Sequence, residues 1–227
     1  MKVLKKVLDL FERHGSKIVT GVIIISVVIA ALLRATVPHL DMKTIEAGKY
    51  DANPFTNSLA DLEDIDLDPE KADADLISEG SDIVIRCTAT QNREYLSTFV
   101  VTEVKIEKTY KGDLPSGTTV KVVEPSYVSV YKKTMDYMYW SPGGYNLMLP
   151  GEEYILFLNR VLDSDYYHLN KFGFGKYRYS GEDISVKLPD DHQLMYSEVK
   201  GYDFLTSSQE VLDLYRKLWE EVLAEYS

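Results

Sequence analysis

The chain has 227 residues, 45% of them hydrophobic, and one cysteine, Cys87. That length holds one membrane anchor and one domain of ordinary size, and the apolar share excludes wholesale disorder. The net charge of −11 is unevenly spread: residues 1–34 carry six basic and two acidic side chains, so the remainder holds −15. A domain of that charge repels nucleic acid, so no nucleic-acid partner is expected. A lone cysteine makes no internal disulfide, and none follows the apolar stretch described next, which argues against a lipidated bacterial anchor there.

Residues 1–17 form a basic segment. Ile18 to Leu33 then runs without a charge for 16 residues, flanked by Lys17 and Arg34. As a helix it spans about 24 Å, and the two flanking heads can snorkel outward to match a hydrocarbon core of about 30 Å. Residues 18–34 are therefore expected to be a transmembrane anchor. A cleaved signal peptide and a buried soluble helix are the other readings. The cleavage pattern Ile29-Ala30-Ala31 is poor, and the flanks favour the anchor. The basic excess precedes it, which puts residues 1–17 in the cytoplasm and the bulk of the chain outside.

Residues 35–66 carry Pro38, Gly48 and Pro54 without a sustained apolar period and read as a stalk or linker. The domain is expected over 67–227. Asp68-Pro69-Glu70 suits a helix start, with Gly80 as its stop. From Ser81 the period becomes two: Ile83, Ile85, Cys87 and Ala89 share one face. Strands are expected over about 96–110, around Val120 and Val122, and over 127–131. Residues 138–149 read as an aromatic, glycine-rich loop. The segment 153–161 is apolar on both faces and so should be a central strand. Short strands follow at 166–169, 176–179 and 184–186. Ser207 with Glu210 reads as a capping box opening a final helix, whose apolar face holds Val211, Tyr215, Leu218 and Val222.

Two segments carry a family resemblance: Val101 to Gly112, VTEVKIEKTYKG, and Leu149 to Leu158, LPGEEYILFL. A long strand ending in Tyr-Lys-Gly, a turn, a further strand and later Gly-Glu-Glu-Tyr resembles netrin-like and tissue-metalloproteinase-inhibitor-like modules. It is also similar to extracytoplasmic proteins of Gram-positive bacteria with the same two signatures. The resemblance spans about 76–186 and implies a five-stranded OB-like β-barrel with flanking helices. The inhibitors act through a disulfide-tethered N-terminal cysteine. This chain has only the mid-strand Cys87, so that mechanism does not carry over.

No nucleophile elbow or metal-ligand spacing is visible, and no cofactor, metal or catalytic residue is expected. Asp64-x-Asp66-x-Asp68 resembles a calcium loop. Pro69, however, stands where such a loop needs glycine, and Asp75 where it needs glutamate, so an acidic linker is favoured. Cys87 is expected to be a buried, inert thiol. The aromatic residues Tyr137, Tyr139, Trp140 and Tyr145 are the candidate ligand-binding residues, for a protein or carbohydrate ligand. The function expected is a membrane-anchored, non-enzymatic binding or scaffolding module. A structural subunit of an envelope complex and a cell-wall hydrolase are the alternatives.

Overall fold

The computed structural model describes residues 26, 42–47, 50–54, 58–96, 98–130, 137–179, 182, 184–189 and 194–227. The basic segment 1–17 and, but for position 26, the expected anchor at 18–34 lie outside the described residues. Among the described residues no helix is long and apolar enough to cross a membrane. Residues 40–227 make one compact unit.

In chain order, helix α1 (Met42–Glu46) and strand β1 (Asp51–Pro54) lead through a 3-10 turn over Leu59–Ile65 to helix α2 (Ala74–Glu79). Then come β2 (Ile83–Tyr95), β3 (Val100–Lys111), β4 (Thr119–Glu124), β5 (Tyr127–Val130), β6 (Tyr137–Ser141), β7 (Glu153–Arg160), β8 (Tyr166–Leu169) and β9 (Lys176–Arg178). Strand β10 (Ser185–Lys187), helix α3 (Tyr196–Val199), strand β11 (Phe204–Thr206) and helix α4 (Gln209–Tyr226) complete it.

Five of these strands close a barrel in the order β2-β3-β4-β8-β7, with β7 returning to β2. Neighbours are antiparallel except β4 and β8, which run parallel. Strands β2 and β3 are long enough to wrap the barrel. Their ladder shifts register at Val84/Ile85, Arg86/Cys87 and between Ala89 and Arg93, the irregularities that let a long strand bend. On β7, Tyr154, Leu156 and Leu158 join Ile83, Ile85 and Cys87 in one core. Ile155 and Phe157 join Val84 in a second core beneath α4. That is why this segment is apolar on both faces, as its sequence implies.

Helix α4 lays Val211, Tyr215, Leu218 and Val222 on the barrel wall. The Tyr215 ring stacks on Phe204 with centroids 4.1 Å apart and on Tyr177 at 5.5 Å. Burial of each such ring contributes roughly 1.5–3 kcal/mol. Its cap is Ser208, whose hydroxyl accepts from the Val211 amide at 3.3 Å, one residue beyond the expected Ser207.

Three further expectations are corrected. The segment 35–66 is not a free stalk where it is described, at 42–47, 50–54 and 58–66, because Ile45, Ala52 and Leu62 are buried and β1 pairs in parallel with β6. Each piece contributes only one or two apolar side chains, too few to show a period. The helix expected from Asp68 begins at Ala74. The Asp68 carboxylate instead closes a local turn on the Glu70 amide, and Asp73 caps the Leu76 amide at 2.7 Å. Residues 138–149 are not wholly loop. Tyr137–Ser141 is the central strand of a small accessory sheet, β1-β6-β5, and only Pro142–Gly144 makes the break. There Gly144 stands at φ +74°, where an added Cβ would lie 2.4 Å from the Phe204 ring.

Candidate functional site

Strand alternation divides the four aromatic candidates. Tyr139 and Tyr145 are buried, at 1% and 0% exposure, whereas Tyr137 and Trp140 are half-buried. Trp140 pairs with Tyr127 across β6 and β5, their rings 6.5 Å apart and 26° from parallel. Tyr137 tilts against Tyr50 at 6.2 Å. The structure therefore sets Trp140 and Tyr127 on one face of the accessory sheet and uses Tyr139 and Tyr145 beneath it.

The two buried tyrosines open onto a polar seam between accessory sheet and barrel. Glu124, the last residue of β4, is completely buried. One carboxylate oxygen accepts from the Tyr145 hydroxyl at 2.6 Å and the Met148 amide at 2.7 Å. The other accepts from the Thr102 hydroxyl and from Arg93 Nη2 at 3.3 Å. Four donors saturate a carboxylate that water does not reach. The Tyr139 hydroxyl donates to Asn146 Oδ1 at 2.8 Å, and Asn146 Nδ2 donates to the carbonyls of Val199 and Tyr202. Burial, with Glu124 also raising it, pushes the Tyr145 hydroxyl far above the usual tyrosine range, so it stays a donor.

Beyond Tyr145 lies Lys176, also without solvent exposure. Its ammonium donates to the Asn146 carbonyl and sits 4.3 Å from the Tyr145 ring centroid and 5.4 Å from that of Tyr154. It is 3.6 Å from Asp203 Oδ1. Arg178 Nη2 donates to the same oxygen at 2.9 Å, and Arg178 Nε lies 2.8 Å from Oδ2 as an ion pair outside hydrogen-bond angles. Burial lowers the Lys176 ammonium to about 8 against the support of Asp203 and Glu124.

A surface groove of about 290 Å³ crosses the outer face of β2, β3 and β4, lined by Asn92, Arg93, Glu103, Lys121 and Tyr166. Asn92 donates to Glu103 at 2.8 Å, and Lys121 sits 5.3 Å above the Tyr166 ring. The remaining sequence candidates have local roles. Asp66 pairs with Lys171 at 2.7 Å and Asp68 with Lys71 at 2.5 Å. These lysines draw both carboxylates below their usual range. Cys87 is fully buried, and burial raises its thiol far above the range of a nucleophile. Among the described residues no group of three metal-ligating side chains is close enough to hold an ion. His14, His39 and His192 lie outside the described residues.

Sequence reasoning missed the seam. One signal was present: Val120, Val122 and Glu124 alternate along β4, so Glu124 falls on the inward row. Lys176 and Arg178 flank a buried Tyr177 on a three-residue strand, too short to show a period. The chain matches no protein-family model and no curated protein.

Proposed function

We propose that the chain is a membrane-anchored, extracytoplasmic binding module on an OB-type barrel, held by residues 18–34 with its N-terminus in the cytoplasm. The strand order β2-β3-β4-β8-β7, with its one parallel pair, supports the OB-type reading. The observation that carries the binding reading is the Tyr127–Trp140 pair on the accessory sheet. These two half-buried rings stand on a framework of Tyr139 and Tyr145 that hydrogen bonds hold in place. Rigid aromatic area of this kind favours a protein or carbohydrate ligand because little side-chain entropy is lost on binding.

The test is capture by the full chain in detergent micelles, offered envelope proteins and cell-wall glycans separately. Replacing Tyr127 and Trp140 by alanine should reduce capture at least tenfold while the variant remains folded. A folded double variant that captures the same material as well as the parent would place the binding surface elsewhere and end this reading.

A further inference from the structure

Among the described residues, the charges within the seam do not balance. Arg93, Glu124, Lys176, Arg178 and Asp203 are each less than a tenth exposed at the side chain. That is three cations and two carboxylates. The carboxylates are already served without Lys176: Glu124 by Arg93, Thr102, Tyr145 and Met148, and Asp203 by Arg178. Glu46 lies 3.5 Å from Arg93, but its side chain is 51% exposed at the rim and is partly compensated by water. The surplus positive charge therefore falls on Lys176. Of the three cations only a lysine can shed its proton in this range, because guanidinium holds its own.

We infer that Lys176 makes the attachment of the accessory sheet to the barrel a proton-operated joint, loosened when the amine is charged and tightened when it is neutral. The groups facing the amine come from every surrounding element. They are Asp203 ahead of β11, Arg178 on β9, Glu124 on β4, Tyr154 on β7, and Tyr145 with Asn146 on the connector, residues 145–152 ahead of β7; Arg93 of β2 pairs with Glu124, and Tyr215 of α4 donates to the Lys176 carbonyl. The connector is what the joint grips. It is held by Glu124 on one side and Lys176 on the other, and Asn146 ties it onward to α3.

The sign follows from burial. Burial lowers the folded-state amine to about 8, against 10.5 for a solvated lysine. Between those values the opened state binds the proton that the closed state has released. The closed state thus gains stability as pH rises through that window and loses it as pH falls toward neutrality. From pH 7.0 to 9.5 that linkage amounts to roughly a tenfold or greater drop in the opening constant.

Millisecond-pulse hydrogen exchange on the full chain in micelles, corrected for intrinsic rates, reads this directly. The peptide over 145–149 should gain roughly tenfold protection between pH 7.0 and 9.5, while a barrel peptide over 155–158 changes much less. In Lys176→Met the 145–149 protection should be high and flat with pH. A wild-type 145–149 peptide that is flat, or that moves in step with the barrel peptide, overturns the proposal, as does a variant that keeps the wild-type pH response. Should Lys176→Met fail to fold, Lys176→Arg serves in its place: its fixed charge should hold the joint at low, pH-independent protection. A titrating response in that variant would equally overturn the assignment.

Discussion

Individual side chains divide this chain by neighbour rather than by type. Tyr127 and Trp140 are half-buried and paired across two strands, whereas Tyr139 and Tyr145, one and five residues from Trp140, are core. Tyr139, Trp140 and Tyr145 were legible as an aromatic cluster with Tyr137, and one-residue alternation along β6 separates Tyr139 from Trp140. The placement of Tyr145 follows a glycine turn and was not legible. Its hydroxyl serves a buried carboxylate, so Tyr145→Phe strands part of a charge. The expected loss is about 1.5–3 kcal/mol, read as a lower urea midpoint with an unchanged slope. A midpoint equal to wild type would mean that the Glu124–Tyr145 bond contributes nothing net.

At the scale of elements, the turn over Pro142–Gly144 joins accessory sheet to connector and depends on close approach. Gly144 combines φ +74° with the Phe204 ring 2.4 Å from where a Cβ would stand. Gly117, at φ +80° with nothing within 4 Å, has only the conformational demand. Gly144→Ala should therefore cost more than Gly117→Ala: about 1–2 kcal/mol of backbone strain in both, plus about 1–3 kcal/mol of overpacking at Gly144 alone. Thermal midpoints of the two variants check this, and equal shifts would refute a tight Gly144–Phe204 contact. The need for glycine at a break after Ser141 was readable from Pro142-Gly143-Gly144. Phe204, sixty residues further on, was not, since nothing local announces which ring a glycine makes room for.

For the whole molecule, the charge asymmetry predicts the topology proposed above. With the basic excess ahead of residues 18–34, an alkaline phosphatase fused after Ser227 should be active in a bacterial host. An inactive phosphatase alongside an active cytoplasmic reporter at the same junction would reverse the orientation. The sequence by itself determined the mainly β character, the two-faced strand β7 and the apolar stripe of α4. Each of these is a periodicity, a local consequence of which side chains face water. It also marked Cys87 as an inward, buried thiol. Only the tertiary structure decided three things: that α1 and β1 belong to the folded unit, that β6 is a strand in an accessory sheet, and that Glu124, Lys176 and Asp203 meet. These depend on single side chains brought together across long separations. Lys176 and Asp203 are 27 positions apart and Glu124 lies 52 before Lys176. A buried charge is tolerated only where its partners converge, and no local pattern records that convergence.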